Sequence, residues 1–339
     1  MKLQLRGDKL FAKIKNLTRY WLLGVVMVCT LLLTIACHYG GSISIRDRNF
    51  ACRDIEHAGG ISCIPTNIER LVTLDSVSLE NAIALGIKPV GSPIDNFSLF
   101  LENRLTGIKN IGQNGEPNLE HIVTLKPDLI LSLYSPQPIY SLTSKIAPTV
   151  LFNYEHSGQW KEVFTKFSTA LSKQKNAQEA MDRYYNRLAE FKQKIGDSSK
   201  IKVSVVRVYT NNINLSLRDS FCGTVLEDAG LSRPESQNFT ASQAQKLFNN
   251  SIYMSVGYEL MEKADGDVIF VWTGENTPQA TETTQKKIEL LKTNPLWQNL
   301  KAVKNNKVYL VPDYWIGSSI LAANAIIDDL YKYLLDSKQ

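Results

Sequence analysis

The sequence predicts an α/β protein of two lobes with a helical segment between them, and three observations point there. Short apolar runs alternate with helix-period segments over residues 70–152. Residues 160–195 then contain neither proline nor glycine and are rich in Lys, Gln, Ala, Glu and Arg. From residue 200 to residue 339 the strand–helix alternation resumes. Alternation of this kind favours sheets sandwiched between helices. The 303 residues left after the first 36 are enough for two lobes, each with its own core.

The clearest single step is GEPNLEHIVTLKPDLILS, residues 115–132. Asn118 is a helix cap, because its side chain accepts from an otherwise unpaired backbone N–H. Leu119, Ile122, Val123 and Leu125 follow at helical spacing. Pro127 stops the helix, having no N–H and disfavouring helical geometry at Lys126. Residues 129–133 then read as a buried strand. In the same lobe, strands are expected at 71–74, 89–90 and 149–152, and helices at 78–85 and 141–147. In the middle segment, Val163, Phe167 and Leu171, then Met181, Tyr184, Tyr185, Leu188 and Phe191, recur every three to four residues. They predict two helices, the second long and ended by the GDSS run 196–199. Further on come strands at 202–209, 268–272 and 307–310, with helices at 223–229, 285–293 and 318–335. Asp-Gly, Asn-Pro and Asn-Asn breaks separate them.

The first 36 residues read as a leader rather than as fold. Lys2, Arg6, Lys9, Lys13, Lys15 and Arg19 precede an apolar run over 21–36. That run is shorter than the roughly 20 residues of a spanning helix. It closes on LTIAC, residues 33–37, which resembles a bacterial lipobox with Cys37 as the lipidated residue; Thr34 departs from the usual leucine. The alternative is an uncleaved membrane anchor, and both place the bulk of the chain outside the cytoplasm. Removing these six basic residues and one acid from the 38 basic and 33 acidic residues leaves 32 of each. The apparent basicity therefore belongs to the leader, and no basic stripe suggests a nucleic-acid partner. Residues 38–49 read as a tether. Cys52 and Cys63 flank the turn His57-Ala58-Gly59-Gly60 of a hairpin over 52–65. In an oxidising compartment they form a disulfide; two separate thiols are the alternative. No second Cys or His pair at ligand spacing supports zinc there. Cys222 is left as a buried thiol.

The wording of residues 115–132 resembles the "pNLE-hhh-LKPDLIh" segment of the periplasmic binding proteins that deliver iron–siderophores and cobalamin to ABC importers. Residues 68–91, IERLVTLDSVSLENAIALGIKPVG, resemble that family's opening strand, helix and strand. Residues 268–312 and 315–330 resemble its closing strands and final helix. The resemblance implies a class III periplasmic binding protein fold, two α/β lobes joined by a long α-helix with the ligand cleft between them. The parts would be a leader (1–36), tether and hairpin (37–65), N-lobe (66–157), helical spine (158–196) and C-lobe (197–339). A helical spine in place of hinge strands implies modest closure on ligand.

The cleft would be lined by loops at the sheet ends. On the N-lobe these are 75–77, 92–97, 112–115 and 134–137; on the C-lobe, 209–221, 272–275 and 313–316. Arg207, near the end of an otherwise apolar strand, needs a partner or a wet cleft. A salt bridge to Asp219 or Glu227 would satisfy it; so would a ligand, as the resemblance implies. Arg218, Tyr209, Trp272, Trp315, Tyr314 and Tyr134 are further ligand-binding candidates, with loop solvation or core capping as their ordinary roles. Arg104 is the N-lobe cation, or else part of a solvated helix face. Arginine meets siderophore oxygens with a fork of donors, while Tyr and Trp pack on its arms. The family docks on its permease through one exposed glutamate per lobe, which implies Glu120 and, less directly aligned, Glu259; both also suit the first turn of a helix.

An enzyme is disfavoured: GxSxG, HExxH, GxGxxG and P-loop patterns are all missing. The four histidines, His38, His57, His121 and His156, are scattered, which speaks against a His-rich metal receptor. The resemblance thus implies a monomeric, lipid-anchored, extracytoplasmic protein that hands a ferric siderophore to an ABC permease and its ATPase. Iron would be held by the siderophore, with no cofactor or protein–metal bond. A hydroxamate or citrate–hydroxamate ligand is expected, since the loops lack a dense cluster of cations; cobalamin or haem is the alternative cargo.

Overall fold

The computed structural model describes residues 51–133, 136–209, 212–273 and 280–335. The leader, Cys37, Tyr134 and the 274–275 loop lie outside the described residues. Residues from Ala51 onward cluster as one compact unit. The unit opens with an antiparallel hairpin, β1 (Cys52–His57) and β2 (Gly60–Pro65). Cys52 and Cys63 are disulfide-bonded across it, their Cα atoms 5.5 Å apart. His57 pins this hairpin to the lobe behind it. Its Nδ1 accepts from the backbone N–H groups of Gly59 and Leu151, and its Nε2 pairs with the Ser62 hydroxyl.

The N-lobe contains β3 (Leu71–Thr73), α1 (Ser76–Ala84), β4 (Gly91–Ser92), the one-turn α2 (Glu102–Leu105) and β5 (Lys109–Asn110). A two-residue hairpin, β6 (Gly112–Gln113) and β7 (Glu116–Pro117), leads into α3 (Leu119–Thr124), β8 (Leu129–Ser132), α4 (Gln137–Thr143) and β9 (Thr149–Leu151). The sheet runs β5-β4-β3-β8-β9, all parallel. Period-2 alternation splits its side chains between two cores: Leu71, Leu129 and Leu131 face one, Val72 and Ile130 the other. Asn118 caps α3 by accepting from His121 N–H, as the sequence predicts. Lys126 closes that helix at φ 46°, a left-handed exit ahead of Pro127.

Two helices follow, α5 (Trp160–Ala170) and the 22-residue α6 (Gln174–Ile195). Their buried faces carry Trp160, Phe164 and Phe167, then Tyr184, Leu188 and Phe191. These side chains belong to one cluster that includes Leu129 of the N-lobe sheet and Val203 and Phe270 of the next sheet. The spine therefore shares a single core with both lobes.

The C-lobe contains β10 (Val203–Val208), β11 (Asn212–Ser216), α7 (Phe221–Asp228), α8 (Ala241–Phe248), β12 (Tyr253–Gly257), β13 (Val268–Trp272), α9 (Ala280–Thr293), β14 (Val308–Leu310) and α10 (Ile320–Leu330). Its sheet order is β12-β11-β10-β13-β14. β10, β13 and β14 are parallel, while β11 and β12 join antiparallel at one edge. Those two strands depart from expectation, because residues 209–221 read as a loop. NINLS alternates over only five residues, and its outer partner lies some forty residues away, beyond the reach of a local pattern. No described helix is long and apolar enough to cross a membrane.

Candidate ligand-binding cleft

The parallel strands β10 and β13 place two large side chains side by side. Arg207 and Trp272 are in register at the carboxyl ends of these strands, where ligands gather in open α/β sheets. Period 2 puts Arg207 on the face of Val203 and Val205, toward the other lobe. Its guanidinium carbon lies 4.0 Å from the centroid of the Trp272 ring and 4.6 Å from that of Tyr209. Such stacking fixes the plane of the fork and leaves its donors directed along that plane. The Trp272 indole, 3 % exposed, has no acceptor for its N–H among the described residues.

A cavity of about 250 Å³ opens on this pair. Asn214 and Ser216 of β11 and Tyr253 of β12 form its C-lobe edge, Trp315 and Ser318 one wall, and Tyr154 and Ser157 the N-lobe side. A second cavity, of about 160 Å³, adjoins it through the shared residues Tyr154, Ile316 and Ser318. The second is lined by Ser76, Val77, Glu80 and Asn114 of the N-lobe and by Tyr314 and Gly317. The start of the spine packs tightly on the C-lobe here: a Cβ on Gly158 would run into the backbone carbonyl of Asp219.

Charge is unevenly divided along this cleft. Among the described residues, Arg207 is the one cation lining either cavity. The N-lobe end is acidic. Asp75 is half-buried where it caps α1, accepting from the N–H and hydroxyl of Ser78, the hydroxyl of Ser132 and the N–H of Leu133. Burial nonetheless raises its pKa above the usual carboxylate range, with those hydrogen bonds opposing. Glu80, 3 % exposed on α1, accepts a hydrogen bond from Ser319, the cap of α10 in the opposite lobe. Burial pushes its pKa up to about 8, with the Ser319 bond opposing and Asp95, Asp75 and Asp313 adding to the rise. Glu80 thus holds a proton at neutral pH, which removes one charge from a crowded acidic corner.

The sequence-predicted residues separate in space. Arg207, Trp272 and Tyr209 form one stack. Trp315 lines the larger cavity, but it is fully buried and its indole N–H is given to Asp329 at 2.7 Å. Tyr314 lines the smaller cavity, and its hydroxyl donates to the same carboxylate at 2.8 Å. Both anchor the 313–316 turn to α10, so they shape the wall and keep their polar atoms behind it. Arg218 lines neither cavity: its Nε lies 3.3 Å from Asp219 Oδ1, and the other oxygen of Asp219 accepts from Ala241 N–H. Arg104 sits elsewhere, in a groove against the spine, because its short helix α2 follows a turn that packs toward α10. Glu120 and Glu259 are both exposed in the first turn of a helix. The Glu259 carboxylate folds back over Gly257.

Sequence reasoning missed Tyr154, Ser157 and Glu80, and it placed Asn214 in a cleft loop rather than on β11. Tyr154 follows β9 in a segment without periodicity, and Glu80 reads as an ordinary polar position of an amphipathic helix. The Ser319 contact that explains Glu80 lies 239 residues away.

Residues 71–315 match the family described as periplasmic binding protein. The chain is 33 % identical over 328 residues to the probable siderophore-binding lipoprotein YfiY of Bacillus subtilis (strain 168), covering 92 % of this chain and 97 % of that one. It is 29 % identical over 274 residues to the achromobactin-binding periplasmic protein of Dickeya dadantii (strain 3937), covering 77 % and 85 %. The crystal structure of Staphylococcus aureus SirA complexed with staphyloferrin B superposes with a TM-score of 0.69 at 29 % identity, over 83 % of this chain and 98 % of that one. A family match spanning both lobes, together with a relative alike over nearly the whole length, places the chain in the periplasmic binding protein family.

Proposed function

We propose that the protein captures a ferric siderophore outside the cytoplasm and delivers it to the permease of an ABC importer. The observation that carries this reading is the Arg207–Trp272 pair at the strand ends of an inter-lobe cavity, in a chain whose relatives are named for siderophores. Iron stays coordinated by the siderophore, and the protein meets the ligand's outer oxygens through Arg207 and the cavity hydroxyls. One lining cation suits a hydroxamate or citrate–hydroxamate complex better than a triply negative catecholate. Cys37 carries the lipid that holds the protein on the membrane, and the protein acts as a monomer without catalysis.

The test is intrinsic fluorescence of the processed chain titrated with a ferric hydroxamate, ferric citrate, a ferric catecholate, cobalamin and haem, because Trp272 and Trp315 line the cavity. Saturable quenching by a ferric siderophore, at least tenfold tighter than by its iron-free form, is the expected result. Tight binding of cobalamin or haem alone would move the cargo, and no binding across the panel would overturn the transport role.

Glu120 and Glu259 present one acid from each lobe for basic residues of the permease. Replacing both by alanine is expected to leave siderophore affinity within twofold while cutting uptake in reconstituted vesicles at least tenfold. Uptake at the unmodified rate would remove both residues from the docking surface.

A further inference from the structure

A cavity of about 510 Å³ shares no lining residue with the cleft. It is a groove where three parts of the fold meet: the N-lobe through Ala84, Phe100, Leu101 and Arg104, the spine α6, and the C-terminal helix α10. Ala180, Arg183 and Arg187 lie at positions i, i+3 and i+7 of α6 and so share the face turned to the groove. On α10 the groove is apolar at Ile320 and Leu321 and polar at Asn324 and Asp328. Arg187 is committed: it donates to the backbone carbonyl and the side chain of Asn324 and pairs with Asp328. Arg104 and Arg183 are exposed, and neither has a hydrogen bond or ion pair among the described residues. Two uncommitted guanidinium forks thus stand over an apolar floor, while Arg187 neutralises the acid that would otherwise repel an anion.

We propose that this groove is a second binding site, for an amphiphilic anion whose phosphate or carboxylate head meets Arg104 and Arg183 and whose short apolar body lies against Phe100, Leu101, Ile320 and Leu321. Its volume falls within the range of small-ligand sites. Charge alone, on exposed arginines, gives little affinity in salt, and apolar contact alone gives no selectivity; the groove offers both together. The same head group could come from a free metabolite or from an anionic lipid.

Calorimetric titration of the processed chain with octyl phosphate, inorganic phosphate and octyl glucoside, all below micelle-forming concentrations, separates the two contributions. Octyl phosphate is expected to bind at least tenfold tighter than either of the others. The double variant Arg104→Gln, Arg183→Gln is expected to lose at least tenfold of that affinity and to keep ferric siderophore binding within twofold, which also reports that the fold is intact. Sedimentation with phosphatidylglycerol–phosphatidylcholine vesicles assigns the source. Binding lost in the double variant identifies a lipid head group, whereas vesicle binding absent beside retained octyl phosphate binding identifies a soluble ligand. Equal affinity for octyl phosphate and octyl glucoside, or octyl phosphate binding unchanged in the double variant, would overturn the proposal.

Discussion

Arg207→Ala is expected to weaken ferric siderophore binding on the order of 10- to 100-fold. A hydrogen bond to a charged group contributes about 1.5–3 kcal/mol, and each 1.4 kcal/mol is about tenfold in affinity. The guanidinium stacks 4.0 Å from the Trp272 ring centroid and 4.6 Å from that of Tyr209, so little orientational freedom remains to be lost on binding. Arg207→Lys keeps the charge and loses both the planar fork and much of the stacking, and an intermediate loss is expected. Titrating both variants by tryptophan fluorescence, beside thermal unfolding of the free proteins, checks the assignment. Binding within twofold of the parent in the alanine variant would make Arg207 a structural residue. A loss confined to the alanine variant would show that charge suffices and geometry does not matter.

Glu80→Gln is expected to stabilise the protein at neutral pH and to flatten its pH dependence. The carboxyl titrates near its ordinary value of 4.5 when the chain is unfolded and at about 8 when it is buried beside Asp75, Asp95 and Asp313. Its pKa is raised in the fold, so its contribution is fully present below pH 4.5. That contribution is lost progressively as pH rises toward 8 and is constant beyond. Each pH unit of separation corresponds to about 1.4 kcal/mol, so at pH 7 the parent carries a penalty on the order of 3 kcal/mol. Glutamine keeps an acceptor for Ser319 and has no proton to lose. Urea unfolding at pH 4, 7 and 9 should show the two proteins nearly equal at pH 4 and the variant ahead at pH 7 and 9. Parallel curves across all three values would mean that Glu80 carries its charge in the fold.

The elements that carry strong local signals were legible. The 268–272 strand coincides with β13, and the proline-free stretch resolves into α5 and α6 as its apolar spacing requires. Arg207 stood out because a cation at the end of an apolar strand contradicts its surroundings, and it lines the larger cavity. Arg104 and Arg218 carried no comparable conflict. An arginine on a short helix or in a loop has the same sequence signature whether it faces a ligand, a neighbouring carboxylate or a groove. The antiparallel edge β11–β12 and the contacts of Tyr154 and Glu80 depend on partners far away in the chain, and spacing within a single segment holds no record of them. The helix predicted over 285–293 also includes residues 280–284, where a polar run carries no apolar period to extend it.

The shared core through the spine bears on how strongly the cleft holds its cargo. Trp160 is buried in the cluster that includes Leu129 of one sheet and Val203 of the other, and its indole N–H donates to Thr224 of the C-lobe. In a receptor whose lobes swing freely, part of the ligand's contact energy goes into holding them together, and the measured affinity falls short of the intrinsic one by that amount. Here the relative placement of the walls is settled during folding, by the same side chains that hold each lobe. A cleft built this way is largely in place before the ligand arrives, in keeping with the modest closure that a helical spine implies. Unloading then becomes a mechanical task for whatever grips the two lobes from outside, and the work needed to part them sets the load that a transporter's power stroke must supply.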